Sequence, residues 1–328
     1  MKAIQIEANG NIGCLKIGKV NEPEVGKNQL KIAVKAAGIN RADILQRMGL
    51  YPSPPGVSEI IGLEVSGQIV EMGENIDGFS IGDRVMALLA GGGYAEYVIV
   101  DQGSVMRIPD KIDFVQAAGI AEVFLTAYQA MFLLGNLKSG EVVLIHAGAS
   151  GVGTAANQLA KEKGAKVIVT AGNDEKIDFC KKLGADFCIN YKTDSNFDEL
   201  VMRYTNNKGA DLIIDFIGAD YMTRNINAAG LDGRIVMLAF MSGAKADGVN
   251  LSKILMKRLT FIGSTLRSRT DAYKTNLTQS FTKDFLDLFN QGKLKPIIDS
   301  VYLWDKVDEA HERMGKNLNI GKIILKVS

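Results

Sequence analysis

A strand, a glycine-rich turn and a helix follow one another between residues 142 and 163, and this succession constrains the fold more than any other feature. The apolar run 142–145 predicts a buried strand, and the run 154–163 predicts a helix that ends at Gly164. A second apolar run, 166–170, predicts the next strand. Together they form a βαβ unit of about 30 residues, which predicts an α/β fold with a parallel sheet.

The turn between the first strand and the helix contains three glycines, Gly148, Gly151 and Gly153. Glycine at such positions permits a tight turn, lets the backbone approach a pyrophosphate, and allows the helix to pack closely on the strand. The amides at the helix N-terminus then face the phosphates. With Ser150 and Val152 between the glycines, the motif predicts a dinucleotide-binding turn. The alternative is a glycine-rich turn that binds nothing, because the motif taken alone is weak.

The end of the second predicted strand bears on which dinucleotide binds. NAD-specific sites usually carry an acidic residue about 20 positions after the glycines. This strand ends instead at Gly172 and Asn173, and Lys176 follows, which can pair with a 2′-phosphate and so favours NADPH. Asp174 and Glu175 complicate this reading, because a carboxylate repels that phosphate, unless both simply favour the helix dipole. The alternative for Lys176 is a solvated charge on a helix face.

The rest of the chain divides into two kinds of sequence. Up to about residue 120, short alternating segments between Gly and Pro clusters predict a barrel-like β domain, with strands at 2–7, 29–36, 65–72 and 95–100. From about residue 123, helices are predicted at 125–134, 174–183 and 197–204, and apolar strands at 187–190, 212–216, 234–239 and 259–264. This alternation predicts a Rossmann-type, doubly wound parallel sheet covered on both faces. After residue 267 come one long helix, a strand at 297–303, a short helix and a closing strand at 322–327, which return to the first domain.

Composition excludes several classes of protein and site. Among 328 residues, 38 Lys plus Arg balance 37 Asp plus Glu, which does not suggest a nucleic-acid partner. The apolar runs are shorter than the ~18 residues of a membrane span, and no signal-peptide core is visible. Together with three scattered cysteines, this predicts a cytoplasmic protein with no membrane partner. Only two histidines occur, so neither clustered zinc ligands nor a Ser-His-Asp or Cys-His arrangement is visible.

Motifs spread over nearly the whole chain resemble the zinc-independent quinone oxidoreductases of the medium-chain dehydrogenase/reductase superfamily. They lie at residues 40–43, 51–56, 88–93, 146–153, 266–269 and 319–322. The resemblance implies a GroES-like, mostly β catalytic domain built from both chain ends, 1–122 and 267–328, and a Rossmann dinucleotide-binding domain at 123–266. It also implies a homodimer, formed through the segment 259–264.

The same resemblance bears on metal binding. Zinc-dependent relatives carry a Cys and a His where this chain has Asn40 and Leu63, and the third ligand position holds Glu122. Their cysteine-rich structural loop is missing. The resemblance therefore implies that no metal is bound, and Glu64 is interpreted as a buried, paired structural carboxylate.

Without a metal, the substrate must supply its own electrophilicity, as a quinone does. By resemblance, Asn40 and Tyr51 line the substrate pocket and donate hydrogen bonds to the substrate oxygen as charge develops there. Thr126 lies near the nicotinamide. Each has a structural alternative: Asn40 caps a helix, Tyr51 is a packing aromatic, and Thr126 bonds within its own helix.

The resemblance extends to further cofactor-binding residues. Lys176 and Tyr191 belong to the adenosine phosphate pocket, although Tyr191 is alternatively a packing aromatic at a strand end. Ser264, Arg267 and Asn319 match positions near the cofactor. The two histidines are not assigned to the site, since His146 is predicted to be a core residue and His311 an exposed helix residue.

The leading hypothesis is therefore a zinc-free reduction of quinones, or of related conjugated carbonyls, by NADPH. The first alternative is an enoyl or alkenal reductase, which uses the same hydride but must also deliver a proton to carbon. The second is a non-catalytic NADPH-binding protein.

Overall fold

The computed structural model describes residues 1–7, 10 and 12–327. The chain forms two compact units with an α/β fold. The first unit comprises Met1–Leu125 and Leu266–Ser328, and the second comprises Thr126–Thr265. The sequence placed the two domain changes after residues 122 and 266.

The first unit begins with strands and contains one early helix. Its elements are β1 (Lys2–Ile6), β2 (Leu15–Lys19), β3 (Gln29–Gly38), α1 (Arg41–Arg47), β4 (Glu64–Met72), β5 (Arg84–Leu88), β6 (Tyr97–Asp101), β7 (Val105–Arg107) and α2 (Phe114–Ala117). The chain then passes into the second unit along α3 (Ala121–Tyr128), which continues as a π-helical stretch, Gln129–Leu134.

The second unit alternates strands and helices. It contains β8 (Val142–Ile145), α4 (Gly151–Glu162), β9 (Lys166–Ala171), α5 (Asp174–Lys182), β10 (Phe187–Asn190), α6 (Phe197–Tyr204), β11 (Ala210–Asp215), α7 (Ala219–Ala228), β12 (Ala229–Met237), α8 (Leu251–Lys257) and β13 (Thr260–Gly263). The strands form a six-stranded sheet in the order β10-β9-β8-β11-β12-β13, and every neighbouring pair is parallel. The order reverses between β8 and β11, which is the doubly wound Rossmann arrangement and confirms the predicted fold class.

The chain then returns to the first unit. Its elements are α9 (Asp271–Phe281), a π-helical stretch (Thr282–Leu286), α10 (Asp287–Asn290), β14 (Ile298–Leu303), α11 (Val307–Gly315) and β15 (Lys322–Lys326). The closing strand β15 pairs in parallel with β14 and antiparallel with β3. The resulting sheet has the order β14-β15-β3-β4-β5-β7, and β6 also pairs with β3. This GroES-like unit is therefore closed by the end of the chain.

Some elements were not predicted. The strands β2, β5 and β7 and the helices α1 and α2 are short, whereas α7 was not predicted although it has ten residues. No residue of α8 is buried, so its sequence carries little helical periodicity. Among the described residues, the helical stretch Phe114–Leu134 is long and apolar enough to span a membrane, contrary to the interpretation of the apolar runs. Its most apolar window is 72% buried inside the protein, as in a core helix.

Candidate functional site

The glycine turn of the second unit has no space for side chains at two of its glycines. A Cβ atom added to Gly148 would lie 2.6 Å from the Cβ of Val169, and one added to Gly153 would lie 2.4 Å from the carbonyl oxygen of Ala147. Ser150 caps α4, because its Oγ accepts a hydrogen bond of 3.0 Å from the Gly153 amide. The turn therefore leads directly into a twelve-residue helix, whose N-terminal amides favour a phosphate.

The predicted motif residues Gly151 and Val152 are the first two residues of α4. They lie at the carboxyl end of β8, next to the reversal of strand order. In open α/β sheets, ligands bind outside the carboxyl ends of the strands at such a point. The position and the geometry of the turn both fit the pyrophosphate of a dinucleotide.

The next predicted cofactor residues surround the end of β9. Asn173 caps α5, with its Oδ1 accepting a 2.9 Å hydrogen bond from the Lys176 amide. A Cβ at Gly172 would lie 2.5 Å from the Tyr191 hydroxyl oxygen, so the absence of a side chain lets that ring lie against the backbone. Lys176 is half-buried on the first turn of α5. The structure thus brings Gly172, Asn173, Lys176 and Tyr191 together, and it assigns Asn173 a capping role that the sequence did not predict.

The carboxylate of Asp174 would repel a 2′-phosphate bound nearby. One oxygen of its carboxylate accepts a hydrogen bond of 2.9 Å from Nδ2 of Asn190, the last residue of β10. Its neighbour Glu175 is exposed in the same helical turn. Both acidic residues therefore lie in the first turn of α5, where they complement the helix dipole.

His146, immediately before the glycine turn, is a fully buried core residue, as predicted. Its Nδ1 lies 3.0 Å from Oγ1 of Thr170, and its Nε2 lies 2.7 Å from Oδ1 of Asn225. The rings of Phe197 and Tyr221 pack against its edge. Burial lowers the pKa of His146 from 6.5 to about 4, so the ring is neutral at pH 7.

This pKa gives a prediction for stability. The unfolded chain binds a proton at His146 below pH 6.5, whereas the folded protein does so only below about pH 4. Because the unfolded chain takes up the proton first, His146 lowers the free energy of unfolding as the pH falls through that window. The loss is about 2 kcal/mol between pH 7 and pH 5. We expect His146→Gln to reduce the loss by that amount in urea unfolding at the two pH values. An unchanged pH dependence would contradict the neutral, buried state of the ring.

In the first unit, Asn40, Glu64 and Lys322 form a buried network. Lys322 Nζ donates to Glu64 Oε1 at 2.6 Å, to Asn40 Oδ1 at 2.7 Å and to the carbonyl of Ile39 at 2.6 Å. Asn40 Nδ2 donates to the same Glu64 oxygen at 3.1 Å and to the carbonyl of Gly38 at 3.3 Å. Glu64 is fully buried, as predicted.

The network limits what Asn40 can do. Both amide hydrogens of Asn40 already have protein acceptors, and its oxygen accepts from Lys322. A substrate oxygen would have to displace one of these partners. The predicted donor role of Asn40 therefore conflicts with its contacts, which assign it to the hydrogen-bonded network and to the N-terminus of α1. Lys322, for which no role was predicted, is the centre of the network.

Tyr51 keeps the donor capacity that was predicted for it. Its side chain is half-buried, and burial raises the pKa of its hydroxyl, so the group is protonated at pH 7. Among the described residues, the hydroxyl has no hydrogen-bond partner. It can therefore donate to a ligand oxygen.

Arg267 was predicted to lie near the cofactor, but its contacts in the first unit are different. Its Nε donates to the carbonyl of Ala90 at 2.6 Å, and its Nη2 donates to Gln46 and Ser53 at 2.9 and 3.0 Å. Its guanidinium also lies 5.2 Å from the centre of the Tyr51 ring. Four N–H groups of Arg267 thus bind protein acceptors. Arg267 holds the segment that carries Tyr51, and its place near the cofactor stays a prediction.

The remaining predicted residues are divided between the units. In the second unit, Ser264 follows β13, and its Oγ is buried without a partner among the described residues, which suits a hydroxyl that binds a cofactor. Thr126 is half-buried on α3. In the first unit, Asn319 Nδ2 donates to the carbonyl of Gly321 at 2.8 Å, which orders the turn before β15.

His311 was predicted to be exposed, and this was wrong. It is fully buried on α11, with Nδ1 3.3 Å from Arg47 and Nε2 3.3 Å from the Tyr94 hydroxyl. Tyr94 donates in turn to Asp43 at 3.1 Å. Burial lowers the pKa of His311 to about 3, and burial raises the pKa of Asp43 to about 6. Neither histidine of the chain is therefore charged at pH 7.

Two family models match the chain. Residues 26–110 match the alcohol dehydrogenase GroES-like domain, and residues 151–283 match the zinc-binding dehydrogenase domain. The chain belongs to the medium-chain dehydrogenase/reductase superfamily. Quinone oxidoreductase of Lama guanicoe is 32% identical over 329 residues, which cover 99% of this chain and 97% of that protein. Human quinone oxidoreductase is 31% identical, covering 96% and 94%.

Other members of the superfamily carry different names. The human synaptic vesicle membrane protein VAT-1 homolog is 30% identical over 92% of this chain and 80% of its own length. Among solved structures, an NAD-dependent alcohol dehydrogenase (30% identity, TM-score 0.87) matches over the whole of both chains. A Pseudomonas syringae quinone oxidoreductase (28%, TM-score 0.87) matches over 99% of both. CurK enoyl reductase (26%, TM-score 0.88) matches over 100% of this chain and 99% of its own. The fold alone does not select the reaction.

Zinc binding in this superfamily can be tested against the residues present. The positions that the motifs match to zinc ligands hold Asn40, Leu63 and Glu122, and the ammonium of Lys322 lies among the oxygens of Asn40 and Glu64. Thiolate and imidazole, the usual zinc ligands, are absent from these positions, and a fixed ammonium repels a divalent cation. Within the described ranges, no three His, Cys, Asp or Glu residues are grouped as metal ligands. These residues do not fit a zinc ion.

Proposed function

We propose that this chain reduces quinones by hydride transfer from NADPH without zinc. The observation that carries the proposal is the Asn40–Glu64–Lys322 network, in which an ammonium lies beside Asn40, the residue that the resemblance matches to a zinc ligand. Both histidines are neutral and buried, so neither supplies a proton at pH 7. The substrate must then be electrophilic by itself, and a quinone meets this requirement. The quinone oxidoreductases among the similar proteins support the same reading.

In the proposed reaction, the hydride of NADPH adds to the quinone, one proton enters from solvent, and hydroquinone and NADP⁺ result. The chain contributes orientation and exclusion of water. The Tyr51 hydroxyl donates a hydrogen bond to the quinone oxygen as negative charge develops on it. The glycine turn binds the pyrophosphate, Ser264 and Thr126 contribute to the cofactor site, and the Arg267 contacts keep Tyr51 in place.

The preference for NADPH is proposed from the residues after β9. No carboxylate ends that strand, one oxygen of Asp174 is engaged by Asn190, and Lys176 and Tyr191 flank the position. Lys176 then pairs with the 2′-phosphate. NAD is the alternative, since the similar alcohol dehydrogenase structure is named as NAD-dependent.

Replacing Lys176 with methionine tests this assignment. A hydrogen bond to a charged group contributes ~1.5–3 kcal/mol, so kcat/KM for NADPH should fall about 10- to 100-fold while that for NADH stays unchanged. Lys181→Met, an exposed lysine on the same helix, serves as the matched control. Equal losses with both cofactors would remove Lys176 from the phosphate site.

The proposed reaction is tested by steady-state oxidation of NADPH and NADH with 1,2-naphthoquinone, in the presence of EDTA. We expect rapid turnover that prefers NADPH and is insensitive to the chelator, and a lower kcat in Tyr51→Phe. Loss of activity with EDTA would overturn the zinc-free mechanism. Absence of turnover, despite measurable NADPH binding, would favour a non-catalytic nucleotide-binding protein.

An enoyl reductase is the second candidate, and the similarity to CurK enoyl reductase favours it. That reaction must also deliver a proton to carbon. The same assay with an α,β-unsaturated ketone distinguishes the two reactions, because an enoyl reductase saturates the double bond and leaves the quinone unreduced.

We propose that the protein is a homodimer in the cytoplasm. The three cysteines are free thiols, as in reducing compartments. In the second unit, β13 ends the sheet, and the adjacent α8 exposes Leu255 and Met256 at 79% and 73%. Apolar side chains clustered in this way suit contact with a second copy.

Leu255→Glu is expected to convert this dimer to a monomer in light scattering coupled to gel filtration, because it places a charge in an apolar contact. Ile81→Glu, at an apolar and exposed position of the first unit, is the control and should leave the mass unchanged. A wild-type protein that already runs as a monomer would overturn the dimer.

A further inference from the structure

A cavity of about 400 Å³ lies within the first unit, and none of its wall residues is assigned to the reaction. Its walls come from β6, from residues 56–60 and 88–92, and from the first turn of α9. About half of the wall is apolar, with Val57, Ile60 and Leu89 among its members. Its volume falls within the range of ~300–1,000 Å³ that is typical of pockets for small molecules.

Lys274 is the unusual residue of this wall. Three lysines of the chain are buried among the described residues, namely Lys31, Lys274 and Lys322. Lys31 pairs with Glu71 and Glu22, and Lys322 pairs with Glu64. Lys274 is 6% exposed, yet no described residue forms a hydrogen bond or ion pair with its ammonium.

The ammonium of Lys274 has no protein acceptor among the described residues, and its Nζ is not fully buried, so the charged group is open to the cavity. Burial lowers the pKa of Lys274 below its usual value, and the charges of Asp271 and Glu122 oppose that shift. Since the side chain lines the cavity, an acceptor inside the cavity is the partner that it lacks.

The surroundings of Lys274 favour a negatively charged acceptor. The residue lies in the first turn of α9, an eleven-residue helix, where the helix dipole is positive. Two carboxylates, Asp101 and Asp271, also line the cavity and oppose an anion. One Asp101 oxygen accepts a hydrogen bond of 2.9 Å from the Gly103 amide. Asp271 is exposed, so water and salt screen its charge more than that of the buried lysine.

We propose that this cavity is a binding site for a small carboxylate with an apolar tail. The carboxylate accepts hydrogen bonds from Lys274 Nζ, and the tail lies against Val57, Ile60 and Leu89.

None of the residues assigned to the cofactor or to quinone reduction lines the cavity. Arg267, which holds the Tyr51 segment, donates to the carbonyl of Ala90 in this wall, so the cavity borders that contact. The proposed site extends beyond the reaction, to which no wall residue is assigned.

Isothermal titration of the full chain with octanoate and with 1-octanol tests the proposal without cofactor or quinone. The two probes share a tail, but only octanoate carries a charge. We expect octanoate to bind at one site, and Lys274→Met to weaken it about 10- to 100-fold, the effect of removing a hydrogen bond to a charged group. Binding of 1-octanol should be the same in both proteins.

A second variant covers the case in which Lys274→Met does not fold. Val57→Trp fills the cavity from a half-buried position and leaves Lys274 in place. It should abolish the binding of both probes. The proposal is overturned if wild type does not bind octanoate at millimolar concentration, if Lys274→Met binds it equally well, or if Val57→Trp still binds it. The NADPH assay has a separate readout, so failure of one proposal does not imply failure of the other.

Discussion

Replacing Lys322 with methionine is expected to lower the free energy of unfolding of the first unit by about 3–5 kcal/mol. The substitution keeps an apolar side chain of similar length but leaves the fully buried carboxylate of Glu64 without its cation. The Asn40 oxygen and the Ile39 carbonyl lose their donor as well. The single tryptophan, Trp304, is buried in the core of the same unit, so its fluorescence during urea unfolding measures the effect directly.

Lys27→Met is the matched control. Lys27 forms an ion pair with Glu74 in the same unit, but both side chains are about three-quarters exposed, at 74% and 77%. Exposed pairs contribute ~0–1 kcal/mol, so this variant should unfold almost as wild type does. Similar losses in the two variants would mean that the buried network does not stabilise the unit.

The second large effect is expected at the glycine turn, where Gly153→Ala should weaken NADPH binding about 100-fold. The new Cβ would lie 2.4 Å from the Ala147 carbonyl oxygen and 2.8 Å from the Gly148 Cα. Both neighbours are backbone atoms of the turn, so the turn itself must move. Misplacement of binding groups by about 1 Å can cost ~100-fold.

NADPH affinity can be measured by titration of the cofactor's fluorescence. Gly315→Ala provides the control, since Gly315 is helical and no atom lies within 4 Å of an added Cβ. Circular dichroism establishes that both variants are folded. If Gly153→Ala binds NADPH as wild type does, the turn is not the pyrophosphate site.

The features that the sequence predicts best are those that depend on residues close together in the chain. The turn from Gly148 to Gly153 lies between a strand and a helix, and each of these has its own local signal in the sequence. The same holds for β10 and α6, whose bounds were predicted as observed. Here propensity, periodicity and turn residues all agree, which is the condition for a reliable prediction.

The features that were missed depend on residues far apart in the chain. His311 was interpreted as exposed because a helix pattern does not reveal which neighbour covers it, and here Arg47 and Tyr94 do so. Arg267 lies in a motif near the unit boundary, but its acceptors are up to 221 residues away. The role of Lys322 was missed for the same reason, although a lysine inside an apolar strand is a visible signal for a buried partner.

The closing strand has a consequence for how the protein is made. Lys322 follows Asn40 by 282 residues, so β3 and β4 are synthesised long before the cation that neutralises Glu64. The second unit, in contrast, is one continuous stretch that contains all six strands of its sheet. On the ribosome, the middle of the chain can therefore fold first. The first unit has to wait, with its sheet open beside β3, until residue 322 has been made.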